Sequence, residues 1–313
     1  MSIVVGYGPQ ERGREALELG KALAHSLDES MVVCTVVLDR WQVDGLARGV
    51  DRQYQGALTE MARDVLDDAK SALAGENELS IDFEVVAGLS VAQALIDEAH
   101  EREARMCVLG SSLQSRWGEL AIGSVSQRLM VSSPVPIAVA PRGYRVQPEG
   151  RLERVVLGVD PERPSEEAAL AAAVLAADAG AELHLISFAT GEKEGMWRRG
   201  LGEVERAHLY QEHAGKLLKS LAGTINGHPS LPAVASYRVL HANGWREALD
   251  KAEFRRHGDM LVVASSNAGP LEQLFLGSSA MRIIKHSPVP VLVLPKASLH
   301  GEGTAVVDLD EQA

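Results

Sequence analysis

Aromatic side chains are scarce in this chain: Phe, Trp and Tyr together make up 4% of its 313 residues. Few stacking platforms are on offer to nucleic-acid bases. Positive charge is short as well, with 31 Lys and Arg against 43 Asp and Glu and a formal net charge of −12. A site for a phosphate backbone must gather cations to release counterions, so both shortages argue against a DNA or RNA partner. No stretch approaches the roughly 18 uninterrupted apolar residues of a membrane-spanning helix. The opening "MSIVVGYGPQERGRE" enters a strand-like segment with neither a basic start nor a cleavage site, which predicts a cytoplasmic protein that does not engage a membrane. Of only two cysteines, Cys34 lies in "MVVCTVV" and Cys107 in "RMCVLG". In such apolar runs a thiol reads as a small buried hydrophobe rather than a paired or reactive one. The ten histidines are scattered, and His208 and His213 stand five apart rather than on one helix face, so no zinc-type site is expected.

What the chain does have is ordinary globular material, 46% hydrophobic and 24% charged. Its length exceeds the usual single-domain range of roughly 100 to 150 residues, which predicts two domains. Sliding the sequence against itself by about 150 residues confirms the division. "IVVGYGP" at 3–9 meets "VVLGVDP" at 155–161, "RMCVLGSS" at 105–112 meets "DMLVVASS" at 259–266, and "GSVSQRLMVSSPVPIAVAP" at 123–141 meets "GSSAMRIIKHSPVPVLVLP" at 277–295. The domains are read as 1–141 and 152–295, joined by a polar Gly- and Pro-containing linker at 142–151. The aperiodic acidic end, 296–313, is read as a flexible tail.

Within each half, short valine-rich runs alternate with helical spacing. Ala16, Gly20, Leu23, Ala24 and Leu27 share one predicted helix face; Leu58, Met61, Ala62, Val65, Leu66, Ala69 and Leu73 share another, and Val91, Ala92, Leu95, Ile96 and Ala99 a third. The second half repeats the scheme with Ala168, Ala172, Leu175 and Ala179, with Val204, Ala207, Ala214, Leu217, Leu218 and Leu221, and with Trp245, Ala248, Leu249 and Ala252. Continuous strands alternating with helices predict two tandem doubly wound α/β domains, each a five-stranded parallel sheet covered on both faces.

In such a sheet ligands bind beyond the carboxyl ends of the strands, where the winding reverses. There the first half reads "GSSLQSRWGELAIGS", 110–124, with the next helix predicted to begin at about Gly123 and Ser124. A glycine ahead of a helix start admits a ligand close to the backbone, and the unpaired amides favour an anion; alternatively, Ser124 caps the helix. Ser111, Ser112, Ser265 and Ser266 lack a G-x-S-x-G elbow and are read as loop donors. Arg116 and Trp117, between that loop and its helix, are read as surface packing, with a phosphate clamp and a cover as the functional alternative.

These motifs resemble those of the universal stress protein family, in a tandem member with the adenine nucleotide alpha hydrolase-like fold. That family carries Gly-x2-Gly-x9-Gly-[Ser/Thr] after its fourth strand, then a helix and a final Pro-Val strand, and the likeness runs over nearly all of 1–295. The resemblance implies ATP, with Mg2+, as ligand: glycines around the phosphates and an Asp after the first strand near the nucleoside. Carried across, Gly110, Ser111, Ser112, Gly123 and Ser124 fit in the first half, but Leu113 replaces the second glycine and Gly8 the Asp. In the second half Asp160, Gly277 and Ser278 fit, while Ala264 replaces the first glycine and Asn267, which tolerates a left-handed backbone, the second. Asp160 has a structural alternative, accepting amides in "DPERPSEE", where Ser165 reads as a helix cap and Glu166 and Glu167 suit the first turn.

The resemblance also implies that the last strands of the halves pair edge to edge within one chain, which would remove two exposed sheet edges; a homodimer is a further level of association that it allows. The expected function is a cytoplasmic stress-response regulator that binds an adenine nucleotide, meets an unidentified protein partner and has no catalytic residues. A nucleotide-free interaction scaffold and a slow ATP hydrolase are the alternatives. "GEKEGMWRRGLGE", 191–203, is read as a solvated loop, with a lid as the alternative.

Overall fold

Ten strands form one continuous sheet in a computed structural model that describes residues 1–8, 13–39, 48–112, 120–146, 150–190, 203–255, 257–265 and 278–295. The first half runs β1 (Ser2–Gly6), α1 (Arg14–Leu27), β2 (Ser30–Leu38), α2 (Arg48–Ala72), β3 (Ile81–Gly88), α3 (Val91–Glu101), β4 (Ala104–Gly110), α4 (Ser124–Ser132) and β5 (Ile137–Ala140). The second runs β6 (Arg154–Gly158), α5 (Glu166–Ala179), β7 (Glu182–Thr190), α6 (Glu203–Asn226), β8 (Val234–Ala242), α7 (Trp245–Asp250), β9 (Asp259–Ala264), α8 (Ser278–His286) and β10 (Val291–Leu294). Strand order is β3-β2-β1-β4-β5-β10-β9-β6-β7-β8, parallel within each half. The two doubly wound domains are therefore as the sequence predicts.

The halves meet at the antiparallel pair β5 and β10, in register Val291 to Val139, Leu292 to Ala138 and Val293 to Ile137. Each of these strands follows a proline that has no amide to donate but still offers its carbonyl: Pro136 accepts from Cys107 N at 2.9 Å and Pro290 from Leu261 N at 2.9 Å. Each domain thus covers the other's last sheet edge, as the resemblance implies.

The joint extends beyond the strands. One apolar layer, under α1, α2, α5 and α6, and another, under α3, α4, α7 and α8, each draw residues from both halves. The alanine-rich face of α5, including Ala168, Ala172 and Ala176, lets it pack closely on the sheet and against α1. Ser26 Oγ on α1 donates to Ala22 O at 2.6 Å and accepts from Leu152 N at 2.7 Å, just before β6. Arg105 pairs with Glu29 of its own half at 3.8 Å and with Asp178 of the other. Residues 142–146, in the predicted linker, are docked on α1, where Glu15 Oε1 accepts from Gly143 N at 2.9 Å and Glu18 Oε2 from Val146 N at 3.2 Å while the Tyr144 ring is buried.

Most predicted helix faces are the buried ones. Met61 is the exception: it is 63% exposed. At 100° per residue it lies a quarter-turn or so from the stripe of Ala62, Leu66, Ala69 and Leu73, so it falls on the rim of α2 rather than under it. Ser165 caps α5 as predicted, accepting from Ala168 N at 3.0 Å. Both thiols are free and buried, and burial pushes that of Cys107 up to about 12 and that of Cys34 further, so neither is a nucleophile at neutral pH.

Gly20, in mid-helix, shows why α1 can lie flat on the sheet. A Cβ there would stand 2.6 Å from Val5 Cγ2 and 3.0 Å from Met31 Sδ, both in the core. In Gly20→Ala, overpacking of about 1–3 kcal/mol opposes a helix-propensity gain of about 0.5–1 kcal/mol. A net loss of about 1 kcal/mol is expected, read as a lower urea midpoint with an unchanged slope.

Candidate functional site

The winding reverses between β1 and β4 in the first half and between β6 and β9 in the second, so the two crevices at the carboxyl ends of these pairs are the places to examine. They differ in how much of their polarity the fold itself satisfies.

In the first half the predicted residues come together but largely serve one another. Ser111 Oγ accepts from Ala121 N at 2.7 Å and donates to Ala121 O at 3.2 Å, while Ser112 N donates to the same carbonyl at 2.8 Å. These bonds hold the end of β4 to the residues that lead into α4. The glycine at 110 has a packing reason: a Cβ there would stand 3.2 Å from Gly13 Cα, whose φ of 112° is a left-handed conformation that few other residues adopt. Gly8 supplies no carboxylate. Beside it Tyr7 is buried, donating its hydroxyl to Asp68 Oδ2 of α2 at 2.7 Å; burial first, and the Asp68 carboxylate next, push its pKa up to about 12. Thr35 donates to Tyr7 O at 3.0 Å.

Gly123, not Ser124, is the N-cap of α4, which corrects the capping alternative for Ser124. With no side chain at the cap and Ser124 exposed as the first helical residue, the amides of the first turn have no side-chain acceptor there. Neither the φ of −77° nor any close neighbour of the Cβ position, where the nearest atom is Ser112 Cβ at 3.8 Å, demands a glycine at 123.

The second half places Asp160 two residues beyond β6, half-buried, with Oδ1 accepting from Glu162 N at 3.2 Å and its carbonyl accepting from Arg163 N at 3.0 Å. The turn-forming role offered for Asp160 is thus real. β6 and β9 are in register from Arg154 and Asp259 to Leu157 and Val262. Continuing that register sets Ser265 beside Asp160. Ser265 is 8% exposed and its hydroxyl has no partner among the described residues, unlike that of its counterpart Ser111. Thr190, closing β7 on the other side of β6, is fully buried and its hydroxyl is likewise unpartnered among the described residues. The same holds for Ser187, the counterpart of Thr35.

Buried hydroxyls without partners are uncommon, since leaving one unmade costs about 1–3 kcal/mol. Two of the three lie at the ends of the strands that flank Asp160. Thr190 was missed by the motif, and the one signal for it in the sequence is a polar residue ending the apolar run "ELHLISFAT". Ser278 opens α8, and its side chain, with Leu113, Arg116, Trp117, Ser266, Asn267, Gly277 and the 191–202 loop, lies outside the described residues, as does the tail. Among the described residues no group of three or more His, Cys, Asp or Glu is placed to hold a metal ion, and no helix is long and apolar enough to cross a membrane.

Known proteins place this architecture. The family described as the universal stress protein family matches residues 1–141 and again 151–295. A universal stress protein of Mycobacterium tuberculosis is 34% identical over 299 residues, covering 94% of this chain and 100% of its own. A second from that organism is 29% identical over 225 residues, 72% of each chain. Among solved structures, a universal stress protein from Archaeoglobus fulgidus superposes with a TM-score of 0.63 at 17% identity, covering 94% of this chain and 98% of its own. A second, from Pseudomonas aeruginosa, gives 0.57 at 16% identity, with 96% and 95% covered.

Proposed function

The chain belongs to the universal stress protein family, and from that premise we propose that it is a regulatory protein which binds an adenine nucleotide, ATP in the first instance, in its second half. The observation that carries this reading is the pair of buried, unpartnered hydroxyls, Ser265 and Thr190, on either side of the Asp160 turn. A ligand rich in donors and acceptors satisfies them; an apolar one does not.

Each group has a chemical role there. The Asp160 carboxylate accepts from nucleoside hydroxyls, a charge-assisted bond. Ser265 and Thr190 donate or accept as the ligand requires. The first turn of α8, which opens at Ser278, is the kind of helix N-terminus that favours a phosphate. Mg2+ enters with the phosphates rather than through a carboxylate cluster of the protein. The first half keeps its fold but lacks the carboxylate, and its Ser111 hydroxyl is already bonded to Ala121, so one nucleotide per chain is expected.

Titration calorimetry with ATP and Mg2+ tests this. The expected result is one site per chain. Absence of heat, together with no ATP, ADP or AMP in the supernatant of the denatured purified protein, overturns it and leaves the interaction scaffold, for which the incomplete motif in each half already speaks.

A further inference from the structure

A second polar constellation lies at the amino end of the same sheet half, away from the nucleotide crevice. β7 and β8 pair in parallel with His184 directly opposite Ser236, so their side chains leave the sheet on one face, and Glu182 lies on that face two residues before His184. His184 Nδ1 is 2.8 Å from Ser236 Oγ and its Nε2 is 3.2 Å from Glu182 Oε2. A hydroxyl, an imidazole and a carboxylate are thus joined in sequence through the two ring nitrogens. The ring is mostly covered, the serine half-buried and the carboxylate exposed, so the hydroxyl end is within reach of a small molecule.

The first half has nothing like it. The same register places Ser30, Val32 and Asp82 at the equivalent positions. The covering helix differs too: α7 spans 6 residues where its counterpart α3 spans 11. The charged groups around the histidine come from each neighbouring element. On β6, Arg154 pairs in register with Glu182 while it is held by Asp259 of β9; on β8, Arg238 stands two residues past Ser236 on the same face, within 3.6 Å of Glu253, which follows α7.

We propose that Ser236, His184 and Glu182 form an acyl-transfer relay acting on small carboxylic esters. Ser236 Oγ attacks the carbonyl carbon and gives its proton to His184 Nδ1. The Glu182 carboxylate accepts the Nε2 hydrogen and stabilises the imidazolium. The developing oxyanion draws on the positive charge of Arg238, two residues along the same face of β8, whose Nη2 also donates to Ala252 O at 3.3 Å. When the tetrahedral adduct collapses, the C–O bond to the alcohol breaks and His184 returns the proton to that oxygen. A water then attacks the acyl-serine with His184 again as base, releasing the acid and restoring Ser236.

The test uses the full chain with p-nitrophenyl acetate, followed by mass spectrometry of the peptide carrying Ser236. Acetyl on Ser236 is expected. Ser236→Ala and His184→Asn should each lower the hydrolysis rate by about 100-fold or more, and Glu182→Gln by on the order of tenfold or more. Labelling of Ser236 by a fluorophosphonate in the wild type, lost in His184→Asn while far-UV circular dichroism is unchanged, supports the relay independently of turnover. Hydrolysis by Ser236→Ala at the wild-type rate, or acetyl found only on lysines, overturns it. ATP has no part in these readouts, so they stand or fall apart from the nucleotide site.

Discussion

Asp160→Ala should weaken ATP binding by about 10- to 150-fold, the loss that follows from removing a hydrogen bond to a charged group worth about 1.5–3 kcal/mol. The same change deletes the 3.2 Å bond from Glu162 N, an exposed turn contact, so a small fall in stability accompanies it. Thermal denaturation without ligand separates the two: the affinity loss should far exceed what any unfolded fraction explains. Ser265→Ala removes one neutral hydroxyl and should cost about 0.5–1.5 kcal/mol, or some 2- to 12-fold. In the first half, Gly123→Val should leave the affinity where it was, because the crevice there lacks the carboxylate. If Gly123→Val abolishes binding while Asp160→Ala does not, the nucleotide sits in the other half and the assignment fails.

A larger effect, on stability, is expected at the base of the second half. Asp259 begins β9 with its side chain fully buried, and it accepts from Arg154 Nε at 2.7 Å, from Arg154 Nη2, and from Arg255 N at 2.7 Å. That hydrogen bonding, outweighing the cost of burial, raises the guanidinium pKa above its ordinary value, so Arg154 is charged throughout. Asp259→Ala leaves this mostly buried cation without its carboxylate, with Nη2 still donating to Glu253 O at 3.2 Å, and strands the Arg255 amide. The expected loss is about 3–5 kcal/mol, a large fraction of the stability of most domains. Replacing both partners, Arg154→Met with Asp259→Leu, should recover most of it, since an apolar pair of similar volume has no charge to desolvate. Urea unfolding of the single and double variants decides the matter; a single variant within about 0.5 kcal/mol of wild type contradicts the buried-pair reading.

Much of the architecture was legible in the residues, and for identifiable reasons. Valine-rich runs alternating with helical spacing can bury their apolar side chains only as a parallel sheet with helices on both faces, and the repeat of that order after about 150 residues dictates two such units. The family resemblance implied the joint, and the Pro-Val strands suit it because prolines at the strand ends leave the middle amides free. Met61 shows the limit of the method: its spacing from Leu58 and Val65 admits it to the apolar stripe, and only the angle at which α2 lies on the sheet shows that it points past the rim.

The site was legible in part. The motif points to the segments after the fourth strand of each half, since glycines and serines there mark backbone that approaches a ligand or another chain segment. Which of those it is depends on partners far away in sequence. Gly110 fits the motif, yet Gly13 lies against it. Ser111 and Ser265 are written alike, but one hydroxyl closes on Ala121 and the other has no described partner. Thr190 carries no motif, and its burial beside the Asp160 turn follows from β7 running past the end of β6.

The alternation of strand and helix, the duplication and the positions of the crevices are properties of local pattern, because the period of apolar residues alone settles which faces must leave water. The choice between two similar crevices, the ion pair beneath β9 and the Ser236–His184–Glu182 chain are contacts between distant segments. Register and helix length set them, and these emerge only when the whole sheet is assembled.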